Sequence, residues 1–191
     1  ENFKLKLRQR ALNSDAISYG LALAYIKKND FPTARRLTNT LIENYPEQPI
    51  YRHTDIEIDI ASKHHDKAAN KLKILLQKNP KSYPLLVLQA ELFLNRKKYY
   101  ESSEVLSLLT KDRPEDPDMW YRLAEVSGLA GDIATVHKAR AEYFILVGAF
   151  DRARKQLGRA AVLLKHDFQQ SAIIRQRLRD LALIEERVIK L

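Results

Sequence analysis

Apolar residues in this 191-residue chain recur at the three- and four-residue steps of a helix, as in Leu72, Leu75, Leu76 and Leu106, Leu109. Nothing reads with the strict alternation of a half-buried strand, so no strand is expected. The helical pattern is punctuated by Pro46, Pro80 and Pro114, which stand 34 residues apart. A proline cannot continue a helix, so each closes one pair of helices. Asp116 before Pro117 reads as an N-cap ahead of a first-turn proline. Beyond it the pattern predicts a helix near 132–147, another near 150–164, and a long terminal one near 168–190 that no Pro or Gly interrupts.

The period resembles that of a tetratricopeptide repeat (TPR) array. Each proline then falls at position 32 of a 34-residue unit, giving units 15–48, 49–82, 83–116 and 117–150. Paired TPR helices cross closely at positions 8 and 20, where small residues are needed. Position 8 reads Ala22, Ile56, Ala90 and Ala124, and position 20 reads Ala34, Ala68, Ser102 and Val136. Trp120 and Gly131 stand where the family usually has them, at positions 4 and 15. The fourth unit carries Gly148 in place of its proline, and a unit shifted by half a repeat fits from residue 134, with Ala141, Gly148, Phe150, Ala153, Leu157 and Ala160 in its characteristic places. The helix near 132–147 is therefore expected to serve two successive units. The resemblance implies an all-α TPR solenoid, a right-handed superhelix of four to five helix–turn–helix units over 15–164. Residues 1–14 read as a linker or the end of a helix from an upstream domain, and 165–191 as a C-terminal capping helix. Removing that cap is expected to expose Leu157 and Leu163. The second unit departs from the pattern at Arg52, Asp55 and Asp59, polar at positions that are usually apolar. They signal altered packing or a contact surface.

One domain suits this length. With no cysteine there is neither a disulfide nor a thiolate metal site, and no apolar run is long enough to span a membrane or to form a signal peptide. The first residue is Glu1 and the sole methionine is Met119, so the chain reads as part of a longer or processed protein. Its net charge is +9, concentrated at the ends: residues 1–14 carry four Lys/Arg against one acid, and 151–191 carry ten against five. The densest cluster, Arg175, Gln176, Arg177 and Arg179, reads as the polar outer face of the cap. Aromatic residues do not interleave with the basic ones as a stacking platform requires, which argues against nucleic acid.

In TPR arrays the first helix of each unit lines the concave groove. Position 9 holds Leu23, Glu57, Glu91 and Glu125, with Glu142 in the half-shifted unit, and position 5 holds Tyr19, His53, Val87 and Tyr121. Residues four apart share a helix face, so this is a glutamate ladder beside a mixed aromatic row. It suits a peptide with basic and apolar side chains; the alternative is that the glutamates pair with Lys or Arg of adjacent helices. Tyr19 and Leu23 replace the Lys and Asn with which chaperone-binding TPR modules grip a carboxylate, which excludes that function. The histidines His53, His64, His65, His137 and His166 include no H-E-x-x-H pair, and no nucleophile has an evident base. The chain reads as a binding module with no catalytic, cofactor or metal site of its own.

The stretches SYGLALAYIKKNDFPTARRL (18–37), SYPLLVLQAELFL (82–94), RPEDPDMWYRLAEVSGLAGD (113–132), AEYFILVGAFDRARKQLGRAAVL (141–163) and RQRLRDL (175–181), in that order, resemble the C-terminal TPR region of bacterial periplasmic zinc metallopeptidases of the beta-barrel assembly-enhancing group. The resemblance implies a periplasmic location and an upstream peptidase domain holding zinc on an H-E-x-x-H helix. It also implies partners among that domain, outer-membrane proteins and their assembly machinery. A free-standing TPR adaptor for secretion, pilus or envelope assembly is the competing reading. Oligomeric state stays open.

Overall fold

The computed structural model describes residues 2–189, with side chains from Ser14 to Val188. Among the described residues there are ten α-helices and no strand. They are α1 (Asn2–Lys27), α2 (Phe31–Asn44), α3 (Pro49–Ala61), α4 (His65–Lys78), α5 (Tyr83–Asn95), α6 (Tyr99–Asp112), α7 (Pro117–Leu129), α8 (Ile133–Leu146), α9 (Phe150–Leu163) and α10 (Phe168–Ile189). The chain divides into two compact units, Glu1–Arg96 with α1–α5 and Lys97–Leu191 with α6–α10.

Two kinds of turn alternate. After the first helix of a hairpin one residue takes left-handed backbone: Asn29, Lys63, Lys97 and Gly131, 34 residues apart, then Gly148, 17 further on. The hydrogen bonds are those of a Schellman C-cap. His64 N–H donates to the Asp59 carbonyl at 2.8 Å and Lys63 N–H to Ile60 at 3.0 Å; Asp132 N–H donates to Ser127 at 2.9 Å and Gly131 N–H to Gly128 at 3.2 Å. The second kind is a proline turn. Pro46, Pro80 and Pro114 each occupy the second place of a four-residue turn, closed by Gln48 N–H on Tyr45, Ser82 N–H on Asn79 and Asp116 N–H on Arg113, at 3.1 to 3.2 Å. Proline's fixed φ suits that place. Asp116 caps α7 as its position before Pro117 predicts, accepting from Asp118 and Met119 N–H, and Asp30, Asp132 and Asp167 cap α2, α8 and α10.

In the first unit successive helices pack on one another, and α3 also touches α1 and α5. Ile56, Ile60, Ala68, Leu72, Leu85, Leu88 and Leu92 form its core. Position 8 takes an isoleucine here, Ile56, and it is fully buried. Asp55 and Asp59, out of pattern in the sequence, are explained by charge pairing. Arg35 of α2 donates to Asp55 at 2.7 Å and to Asp59 at 2.5 Å, and Lys71 of α4 reaches both carboxylates at 2.5 Å. Asp59 is 1% exposed whereas both cations keep about a third of their side-chain surface in solvent. The acids are thus neutralised from both neighbouring helices, and they belong to the packing rather than to a contact surface. Arg52 is exposed and donates Nε to the Pro46 carbonyl at 3.1 Å.

In the second unit α8 packs against both α7 and α9, and α9 packs against α10. Ala141, Ile145, Ala153, Leu157, Ala160, Ile174 and Leu181 make its core. Two sequence expectations are corrected. Leu163 is 51% exposed with α10 in place, because it lies on the outer side of α9, so only Leu157 of the named pair is buried. Arg177 does not belong to an outward polar face: it turns inward to α8, while Arg175 and Arg179 are exposed.

Left-handed backbone costs an L side chain about 1 kcal/mol. Lys63→Gly should therefore raise the melting temperature by roughly 2–4 °C, and Gly131→Ala, which meets no atom within 4 Å, should lower it by a similar amount for conformational reasons alone. Asp59→Ala leaves Arg35 and Lys71 with only Asp55, and denaturant unfolding should show a loss of about 3 kcal/mol.

Candidate partner-binding surface

Positions 5 and 9 fall on α1, α3 and α5 in the first unit and on α7 and α8 in the second. Helical periodicity sets both members of each pair on one face, since they are four residues apart.

On α1, Tyr19 shares a 3.3 Å hydrogen bond with the buried Thr54 hydroxyl and meets the Tyr51 ring edge-on, with centroids 5.5 Å apart. Tyr51 also contacts Tyr45, whose hydroxyl donates to Asp15 at 2.5 Å. Tyr19 is thus the edge of a small aromatic cluster, and Leu23 follows it half-buried. On α3, burial pulls the His53 imidazole below its ordinary value, and the Pro84 backbone carbonyl nearby opposes the pull. One turn on, Glu57 is half-buried. Burial pushes its carboxyl above the ordinary value, and the Glu91 charge on α5 adds to the effect. Val87 and Glu91 of α5 are also half-buried. The structure therefore brings Glu57 and Glu91 into electrostatic contact, a like-charge pair on adjacent first helices. Such a pair favours an incoming cation, because the repulsion between its members is relieved on binding.

In the second unit Tyr121 is 50% exposed and lies 5.6 Å, centroid to centroid, from Tyr143. Glu125, one turn on, pushes the phenol above its ordinary value through its carboxylate's acceptor character and charge. Tyr121 and Glu125 do project together. Glu142 differs, because the Arg177 guanidinium of α10 forks onto it, Nε at 2.8 Å and Nη2 on the second oxygen. A bidentate fork is a strong form of charge-assisted pairing, so Glu142 has its cation within the chain.

Sequence reasoning missed Tyr51, Tyr143 and Arg177 as neighbours of these positions. A signal existed: Thr54 follows Tyr19, and Arg177 follows Glu142, by 35 residues, one repeat plus one. Among the described residues no group of three His, Cys, Asp or Glu is placed to hold a metal ion, and no helix is long and apolar enough to cross a membrane.

Two tetratricopeptide-repeat family models match, over residues 15–47 and 59–126. The beta-barrel assembly-enhancing protease of Escherichia coli K12 is 27% identical over 173 residues, which is 90% of this chain and 35% of that protein. The chain thus spans about a third of the length of this curated relative. Among solved structures, MamA from Desulfovibrio magneticus RS-1 superposes with a TM-score of 0.58 at 14% identity, over 88% of this chain and 94% of that one. A tetratricopeptide repeat protein from Parabacteroides merdae gives 0.54 at 18%, over 88% and 71%. At such identities the structures speak for the fold alone. Family models, helix pairing and the 34-residue recurrence of turns agree that the chain is built of tetratricopeptide repeats, the all-α architecture of protein-interaction modules.

Proposed function

We propose that this chain is the partner-binding and regulatory arm of a periplasmic zinc metallopeptidase that acts on the quality of outer-membrane protein assembly. One observation carries the reading: the likeness to the beta-barrel assembly-enhancing protease runs through 90% of the chain rather than through a single repeat. Zinc and the peptide-cleaving groups would lie in the remainder of the parent, and this chain's part would be to hold a protein or peptide for them. The first-helix face of the first unit supplies the binding chemistry. Tyr19, Leu23, His53 and Val87 give aromatic and aliphatic contact, and Glu57 with Glu91 gives paired negative charge. That combination suits a segment with basic and apolar side chains. Tyr121 with Glu125 offers similar chemistry on the second unit.

The coding sequence upstream of Glu1 tests the parent directly. A signal peptide and an H-E-x-x-H motif within the preceding few hundred residues are the expected finding; an initiator methionine close to Glu1 with neither would replace this reading with that of a free-standing adaptor. The binding face is tested with a labelled peptide that alternates lysine with leucine. Glu57→Lys with Glu91→Lys should weaken it by about tenfold or more, and unchanged affinity would remove the face from the proposal. Because Glu57 takes up its proton at a higher pH than a free glutamate, affinity should fall as pH drops from neutral toward the ordinary carboxylate range. His53, one turn before, gains positive charge in the same direction at a pH below its ordinary value. Comparing the profiles of Glu57→Gln and His53→Gln assigns the step: Glu57→Gln should remove the part of the fall that protonation of Glu57 produces, and His53→Gln the part due to the imidazole.

A further inference from the structure

The inter-repeat edge of the first unit carries an open cleft of about 1200 Å³, lined by the start of α3, the end of α4 and the start of α5. It is larger than the roughly 300–1,000 Å³ of a small-molecule site, and its openness to solvent suits a chain better than a compact ligand. Its floor is apolar: Ile50 is 46% and Ile74 56% exposed, and Leu85 lies beneath them at 8%. Pro46, Pro49, Pro80 and Pro84 give it rigid walls, so little backbone would be ordered on binding.

The charge on the rim is one-sided. Arg52 of α3, Lys78 of α4 and Lys81 of the following turn face a lone acid in the lining, Glu47, and none of the three cations forms an ion pair among the described residues. The cationic character is particular to this edge. The turn here reads Pro80, Lys81, Ser82, whereas the equivalent turn 34 residues on reads Pro114, Glu115, Asp116. The two helix starts add to it. α3 and α5 have no acidic residue in the first turn, and neither Gln48 nor Ser82 caps with its side chain, unlike Asp116 before α7. Lys78 is accounted for as a cation at a helix C-terminus and Arg52 by its bond to the Pro46 carbonyl, although its charge stays unpaired; Lys81 has neither role.

We propose that this cleft is a second docking site, which takes an extended acidic peptide with apolar side chains at alternate positions. An extended strand advances about 3.3 Å per residue and points successive side chains to opposite sides. Alternate apolar side chains then rest on Ile50 and Ile74, while the acids between them reach Arg52, Lys78 and Lys81. The partner chemistry is opposite in sign to that of the Glu57–Glu91 face, and the two surfaces share only His53. The site does not rest on the peptidase reading and stands or falls separately from it.

Fluorescence anisotropy of the whole chain with a labelled peptide alternating glutamate with leucine and phenylalanine tests the assignment. Saturable binding is expected, weakened about tenfold or more by Lys78→Glu with Lys81→Glu, and similarly by Ile50→Ser with Ile74→Ser. Glu91→Lys should not weaken it. Methyl resonances of Ile50, Ile74 and Leu85 should shift on titration, whereas shifts confined to other methyls would overturn the site. No binding, equal affinity for a peptide with lysine in place of glutamate, equal affinity for an acidic peptide with serine in place of the apolar residues, or indifference to the Lys78/Lys81 reversal would each overturn it too. Both lysines are exposed surface residues, so the reversal tests the rim without disturbing the core.

Discussion

Paired helices pack about 8–10 Å apart, and they come closest where the side chains between them are small. Ala22 and Ala34 in α1 and α2, and Ala141 and Ala153 in α8 and α9, are all fully buried. Everything else follows from that approach. It leaves each hairpin with an apolar flank too large to face water, which can be covered only by the next hairpin. It also fixes the turn between the paired helices. Close antiparallel helices leave room for only a few linking residues, and one of them must take left-handed backbone for the chain to reverse. Stacking then leaves the first helices side by side, and that juxtaposition puts Glu57 against Glu91.

Much of this was legible in the sequence because the period is written in residues with few conformational options. Pro46, Pro80 and Pro114 marked one set of turns, and Gly131 and Gly148 marked the other, including the half-repeat step at α8. What escaped had no such signature. Lys63 and Lys97 hold the same left-handed turn as Gly131, but a lysine does not announce positive φ; the constraint comes from the hairpin around it and overrides the residue's own preference.

The polar groups were harder to place. Asp55 and Asp59 could be seen as departures from the pattern, yet their counter-ions come from two other helices, 12 to 24 residues away, and no local rule connects them. Glu142 looked equivalent to Glu57 and Glu91, but its environment differs because α10 carries Arg177 onto it. Position in a repeat names the face a residue occupies; only the neighbouring helix decides whether its charge is satisfied. The proline-walled cleft was invisible for a related reason. Its residues run from Pro46 to Leu85, each ordinary where it stands, and only three converging helix ends make a surface of them.

The Arg35–Asp55–Asp59–Lys71 group bears on a hazard peculiar to repetitive chains. Hairpins that share one repeat pattern can pair out of register during folding, one repeat's helix settling on the wrong neighbour. The acids separate such arrangements: positions 7 and 11 hold Leu21 and Tyr25, Gln89 and Phe93, or Leu123 and Ser127 in the other repeats, and beside a helix slipped by one repeat the places of Arg35 and Lys71 are taken by Ala69 and Val105. A helix slipped by one repeat would bury Asp59 against uncharged side chains, and an unpaired buried carboxylate costs several kcal/mol. The same four charges that join α2, α3 and α4 thus act as an address, making the second hairpin recognisable among its look-alikes.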